Sequence, residues 1–243
     1  MFDIRHLIEI DRSITLAING SDSLFMDGIA HIFTTIWIWI PVALMLIYLF
    51  IHNNRYSRLW ILLLMIVLTV VCTDQFSSSF CKPFFARFRP TRDADILNMV
   101  DTVAGYRGGL YGFISSHAAN SFGIAVFCVW LVRDRFFTFS IIFWAILNSL
   151  IRTYLGVHFF GDILSGAFVG AIFGSLFYFL FKLCTKEKEY HNSLQHYTNN
   201  LYTVSGYLRS DVIQCMCVLY ATYLLIIFIT IAALALLLTR TNR

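Results

Sequence analysis

Apolar residues run through this chain in blocks too long for a soluble core, separated by short polar connectors. A membrane-spanning helix needs about 20 predominantly apolar residues, within a range of about 17–25. By that measure six spans are expected, at roughly 25–51, 59–73, 117–132, 136–155, 159–183 and 212–238. Ahead of them, Ile4, Leu7, Ile8, Ile14 and Leu16 give one apolar side to a helix ending near Asn19-Gly20. Asp3, Glu9, Asp11, Arg5 and Arg12 interrupt that stretch, which rules out the continuous apolar core of a signal peptide. Two placements stay open for it: along the membrane surface, or packed on the protein as an ordinary amphipathic helix. Residues 74–116 are polar, aromatic-rich and too charged to span, and 184–211 form a polar linker before the last span. No internal repeat is visible. The expected fold class is all-α: a polytopic membrane helical bundle of about six transmembrane helices with an N-terminal interfacial helix. It forms one domain, 1–243, with its motif-bearing core at about 60–180.

Composition agrees. Hydrophobic residues make up 58% of the chain and charged residues 13%, against about 25% charged in soluble domains. The mean hydropathy is +0.72. A net charge of +4, scattered along the chain, excludes a nucleic-acid partner. The six cysteines, at 72, 81, 128, 184, 215 and 217, lack paired metal-ligand spacing and read as free, buried thiols. With six spans, residues 74–116 and the turn near Gly156 share one side of the membrane. The other side receives "HNNRYSR", "RDR" and the linker carrying Lys182, Lys186 and Lys188, a basic set that points to the cytoplasm. The first side is also basic, so charge alone orients the chain only weakly.

Three patches of polar chemistry fall on that first side. One is "KPFFARFRP", with Lys82, Arg87, Arg89 and Pro90; one is "ISSHAANSF", with Ser115, Ser116 and His117; one is "RTYLGVHFFGD", with Arg152, His158 and Asp162. An ionised side chain at the bilayer centre costs about 3 kcal/mol on insertion scales, so a retained one is a functional candidate. Lys82, Arg89 and Arg152 have few acidic neighbours in sequence, which suits a phosphate, and guanidinium forks meet phosphate oxygens in pairs. Ser115, Ser116 and His117 stand at a helix start, where unpaired N–H groups attract anions. His158 and Asp162 are four apart and share a helix face, so the carboxylate can fix the imidazole tautomer. His158 then reads as a nucleophile and His117 as the general acid. Plainer readings stand beside these. Lys82, Arg87 and Arg89 also suit interfacial anchors that snorkel to the headgroups, and His158 with Asp162 also suits a structural pair.

In order and spacing, K-x6-R-P, S-x-H and R-x5-H-x3-D resemble the motifs of the type-2 phosphatidic acid phosphatase superfamily, which includes the vanadium haloperoxidases. The resemblance implies a membrane lipid phosphatase that needs no metal and no cofactor. In its catalytic set His158, His117 and Asp162 are assigned, with Lys82, Arg89, Ser115, Ser116 and Arg152 binding the phosphate. It implies a lipid phosphate or diphosphate substrate, undecaprenyl diphosphate or a lipid A phosphate foremost, then phosphatidylglycerol phosphate or phosphatidic acid, and a phosphohistidine intermediate. It also implies a bacterial inner (cytoplasmic) membrane location with the site facing the periplasm, the bilayer as surroundings and no obligate protein partner. Three positions depart from the family pattern: Ile114 for Pro, Ser116 for Gly, and Ile151 for Ser. None removes an acid, a nucleophile or a cation.

Competing functions are an anion or lipid transporter, a vanadate-dependent haloperoxidase and a catalytically silent binding protein. Transporters commonly place broken helices near the midplane, whereas these motifs cluster at helix ends. Arg87 is open between headgroup contact and none. Asp74, ending the second expected span, is open between pairing with a site cation, capping and exposure. Phe84, Phe85 and Phe88 read as an aromatic belt or a lipid entrance. His191 and His196 read as solvated loop residues.

Overall fold

The computed structural model describes residues 4–19, 22–185 and 201–241; the expectations for Lys186, Lys188, His191 and His196 lie outside them. Among the described residues the chain is helical, with two isolated β-bridges, Phe88–Tyr111 and Tyr202–Leu208, and no strand. In chain order the helices are α1 (Ile4–Asn19), α2 (Leu24–Phe33), α3 (Ile40–Asn53), α4 (Tyr56–Gln75), α5 (Lys82–Phe85), α6 (Ser116–Val132), α7 (Arg135–Tyr154), α8 (Phe160–Thr185) and α9 (Arg209–Thr241).

Among the described residues five segments are long and apolar enough to cross a membrane: Ile36–Asn53, Tyr56–Phe85, Arg135–Tyr154, Phe160–Thr185 and Arg209–Thr239. The expected first span, 25–51, is broken. Thr34 N still donates to Ala30 O at 3.2 Å, but Thr35 N closes on Ile32 O at 3.0 Å, a tightened last turn that ends the ladder of α2. Pro41, which has no N–H, then opens α3 after a 3-10 turn at Ile36–Trp39. The expected second span does not stop at 73. α4 runs on through a six-residue π-helical turn, Phe76–Cys81, into α5, and ends where Ala86 turns left-handed at φ 45°. α6 is 17 residues long, the lower limit for a crossing, and a two-residue connection returns the chain in α7.

The chain forms two compact units. The first comprises residues 1–23, 69–124 and 143–174. Here α6 and α8 meet through small residues, the packing that membrane helices favour where backbones approach closely. A Cβ on Gly166 would stand 2.5 Å from Ser115 O, and one on Gly170 would stand 2.3 Å from Ala119 O. α1 docks on this unit by its polar face. Arg12 reaches Asp93 at 3.0 Å and Asp95 at 2.6 Å, and Asn19 Nδ2 donates to Tyr154 O at 2.7 Å and Asp101 O at 2.9 Å. Its apolar residues Ile4, Leu7, Ile8, Ile10 and Ile14 stay exposed. α1 is thus bonded to the protein through polar groups and offers its oily side outward, the reverse of an ordinary amphipathic helix packed by its apolar face.

The second unit comprises residues 24–68, 125–142 and 175–243. α9 packs along α2 and α3, with Thr230 pressed against Gly28, where a Cβ would stand 2.7 Å from Thr230 Cγ2. Asp211, at the start of α9, lies 2.7 Å from His52 Nδ1 and accepts from Asn53 Nδ2 at 2.8 Å. All six cysteines are free, but the expectation that they are buried holds fully only for Cys81, Cys128 and Cys215. Cys184 and Cys217 are exposed and Cys72 is intermediate.

Candidate active site

The three polar patches come together in the first unit. The π turn, a form frequent at functional sites, brings Lys82 beside the start of α6. Lys82 Nζ donates to Ser116 Oγ at 2.7 Å and to Ser78 Oγ at 3.2 Å. The hydroxyl that departs from the family's Gly is therefore engaged by the lysine. Ser115 is fully buried and acts as a cap: its Oγ accepts from Ala118 N at 3.4 Å, and its N–H donates to Asp162 O at 3.1 Å. His117, in the first turn of α6, is exposed, and the charges of Arg152, His158, Lys82 and Arg89 all act on it.

Arg89 lies outside the helices and is held by carbonyls, with Nε donating to Tyr111 O at 3.1 Å and Nη1 to Val157 O at 3.0 Å. Its Nη1 also stands 3.4 Å from His158 Nε2. A guanidinium only donates, so Nε2 carries the lone pair and Nδ1 carries the proton. Nδ1 points to Asp162 Oδ2 at 3.5 Å, longer than a formed hydrogen bond. His158 is 2% exposed, and burial lowers its pKa below the ordinary value, against the opposing pull of Asp162. The imidazole is thus kept neutral with Nε2 free to act.

Asp162 has no solvent exposure. Oδ2 accepts from Phe159 N at 3.0 Å and Oδ1 from Arg87 Nη1 at 2.8 Å. Arg87 Nη2 in turn holds Asp11 Oδ2 at 2.6 Å, and its guanidinium lies 3.9 Å from the Phe159 ring centre. Asp11 and Thr15 of α1 also accept from Gly161 N at 2.7 Å and Phe160 N at 3.0 Å, capping the first turn of α8. Arg87 therefore binds two carboxylates rather than a headgroup. The sequence motifs did not mark Arg87, Asp11 or Thr15.

This arrangement leaves an imbalance. Arg87 pairs both Asp11 and Asp162, and among the described residues no carboxylate forms an ion pair with Lys82, Arg89 or Arg152. Arg152 is 8% exposed, and its buried Nε has no hydrogen-bond partner. Ile151 precedes it where the family has Ser. Lys82 and Arg89 are held by hydroxyls and carbonyls, so no paired negative charge among the described residues offsets the three cations; that imbalance is costly, and an incoming dianion meets it.

Two cavities adjoin these residues. A polar cleft of about 270 Å³ is lined by Ser116 and His117 together with Asp74, Asn120, Asn148 and Trp144. An apolar groove of about 470 Å³ is lined by Phe76, Phe80, Phe85, Phe113 and Phe168 among others. Of the aromatic residues left open in the sequence, Phe85 lines that groove, while Phe84 and Phe88 are exposed.

Residues 58–186 match the family described as the PAP2 superfamily. A lipid A 4'-phosphatase of Porphyromonas gingivalis is 36% identical over 177 residues, 72% of this chain and 74% of that protein. A lipid A 4'-phosphatase of Bacteroides thetaiotaomicron is 39% identical over 178 residues, 73% of this chain and 79% of that protein. The crystal structure of a transmembrane PAP2-type phosphatidylglycerolphosphate phosphatase from Bacillus subtilis superposes with a TM-score of 0.54. It covers 77% of this chain and 90% of its own at 19% identity, a likeness of fold alone.

Proposed function

The chain belongs to the PAP2 superfamily and is a membrane lipid phosphatase, and from that premise we propose that it hydrolyses a phosphate monoester on the sugar headgroup of a lipid A-type glycolipid. The names of the two relatives support the substrate. The observation that carries the chemistry is the set of three cations without carboxylate partners around a neutral His158.

In this reading Lys82, Arg89 and Arg152 hold the phosphate oxygens, with N–H groups at the start of α6 beside them. Nε2 of His158 attacks phosphorus, and the bond to the sugar oxygen breaks. His117 gives that oxygen its proton. The phosphohistidine is stabilised by Asp162, which faces the Nδ1–H of the now cationic ring. His117 then takes a proton from water as the water attacks phosphorus, releasing orthophosphate and restoring His158. The cations stabilise the charge of the equatorial oxygens in both steps, the part that electrostatics supplies in phosphoryl transfer. They do so without a metal. Ser115 contributes by fixing the start of α6 and the Asp162 backbone rather than by touching the phosphate. The site faces the periplasm of a bacterial inner membrane, which the basic connectors between the other helix ends support.

Purified protein in detergent is given a bis-phosphorylated lipid A, and orthophosphate release and product mass are followed beside His158→Ala. Loss of one phosphate, absent in the variant, is the expected result. Turnover by a clean His158→Ala preparation overturns the nucleophile assignment. Phosphatidic acid hydrolysed while lipid A stays intact overturns the substrate.

A further inference from the structure

His117 stands between two spaces: the cation set that holds phosphate, and the polar cleft of about 270 Å³ beside it. A general acid marks the side of the phosphorus from which the leaving oxygen departs. Whatever carries that oxygen must therefore lie along the wall that His117 helps to form. The cleft shows what kind of group fits there.

Six of its eight lining residues are polar or charged. Asp74 lies inside the Tyr56–Phe85 segment, eleven residues before its end. Its carboxylate makes no hydrogen bond and no ion pair within bonding distance among the described residues, and its charge acts on Lys82; such a group inside a spanning segment is costly unless used. Asn120 lies one turn into α6, and Asn148 one turn before Arg152 in α7. Each amide is pinned at one end, Asn120 by Thr73 Oγ at 2.6 Å and Asn148 by Ser121 Oγ at 2.5 Å, which leaves the other end to the cleft. Trp144 and Ile124 supply apolar wall. Carboxylate, amides and hydroxyl offer donors and acceptors side by side, as vicinal hydroxyls require, and the indole offers a surface for the C–H face of a ring. A fatty chain would offer nothing to the Asp74 carboxylate or to the free ends of the two amides.

We propose that the cleft bounded by Asp74, Asn120, Asn148 and Trp144 is a leaving-group subsite that holds the pyranose ring bearing the scissile phosphate. This rests on the glycolipid reading above and deepens it: phosphate binding is common to every substrate, and the cleft is where a sugar phosphate is told apart from a glycerol phosphate.

The test compares kcat/KM on bis-phosphorylated lipid A and on phosphatidic acid for the full-length wild type, Asp74→Asn and Asn120→Ala, in the same detergent. Orthovanadate inhibition is measured on each. Vanadate fills the phosphate site with no leaving group attached. The expected result is a fall of tenfold or more in the lipid A to phosphatidic acid ratio, with vanadate potency on the residual activity within threefold of wild type. An unmoved ratio in both variants overturns the subsite while leaving the glycolipid phosphatase reading intact. So does an equal loss on both lipids accompanied by weakened vanadate binding, which would mean that the residues only support the phosphate site. Wild-type protein silent on lipid A but active on phosphatidic acid overturns the substrate reading itself, and the subsite with it.

Discussion

Replacing Arg87 by Met tests whether the Asp11–Arg87–Asp162 bridge positions the nucleophile. The side chain makes two ionic hydrogen bonds, 2.8 Å to Asp162 and 2.6 Å to Asp11, and stacks 3.9 Å from the Phe159 ring. Methionine keeps the stem and removes all three. Asp162 Oδ1 then has no donor among the described residues, and its side chain has no exposure. Removing one partner of a buried ion pair costs about 3–5 kcal/mol. Arg87 is itself 28% exposed, which places the loss near the lower end, at about 3 kcal/mol. For a chain of this length that is roughly 6–12 °C in melting temperature. The discriminating measurement is a double-mutant cycle with Asp162→Asn. Once the buried charge is gone, Arg87→Met should cost only the Asp11 contact and the ring contact, about 1 kcal/mol. The coupling is therefore about 2 kcal/mol, read as a difference of melting temperatures in detergent. In turnover, Arg87→Met should lower kcat at least tenfold with a smaller change in KM, because a loosened Asp162 no longer faces the Nδ1–H of His158 to stabilise the ring as it becomes cationic. Arg87→Lys, which keeps the charge but has no fork, should fall between. Effects that add within about 0.5 kcal/mol, or a kcat unmoved in Arg87→Met, would refute the bridge as a positioning device.

Arg152→Lys removes the fork while keeping the charge; the loss of a charged hydrogen bond, about 1.5–3 kcal/mol, corresponds to a fall in kcat/KM of roughly ten- to a hundredfold. A loss under threefold would contradict a paired phosphate contact. Burial lowers the pKa of His158, so Nε2 stays neutral as pH falls through about 6.5, and the acid limb of kcat/KM should lie below that value. Stability follows the same sign: the unfolded chain takes up this proton first, so the contribution is full above about pH 6.5 and declines below it. An acid limb centred above pH 7 would count against His158 as the base-form nucleophile. Gly170→Leu forces a side chain into Ala119 O, 2.3 Å from where its Cβ would stand, and should lower the melting temperature by an overpacking cost of about 1–3 kcal/mol while reducing turnover. Unchanged stability would mean that α6 and α8 are not held in this close approach. Activity should survive EDTA, because Lys82, Arg89 and Arg152 supply the positive charge; recovery on adding a divalent ion after EDTA inactivation would refute this.

The helical class and the convergence of Lys82, Arg89, His117, Arg152, His158 and Asp162 were legible in the sequence, because apolar runs and charged helix ends are local signals. The break in the first span was not. Thr34 and Thr35 count as tolerable in a hydropathy window, yet the ladder of α2 ends there, with Thr35 N closing on Ile32 O. The end assigned to the second span failed for the opposite reason: Asp74 reads as a boundary by composition, although the helix carries it inside and continues to Phe85. That error hid its place in the cleft.

Arg87 and Asp11 were hidden more deeply. They are 76 residues apart in sequence and meet only because α1 docks beside the start of α8. A signal for that docking does exist in α1, on the side that hydropathy ignores. Asp11, Arg12, Thr15 and Asn19 lie at i, i+1, i+4 and i+8 and form one hydrogen-bonding face. In a soluble protein such a face would meet water. Here the apolar face points outward, and a face of four hydrogen-bonding groups turned toward the protein needs partners there. It finds them at Arg87, Asp93, Gly161 and Tyr154. The oily side of α1 faces away from the protein, and the polar side ties it to Arg87, the partner of Asp162.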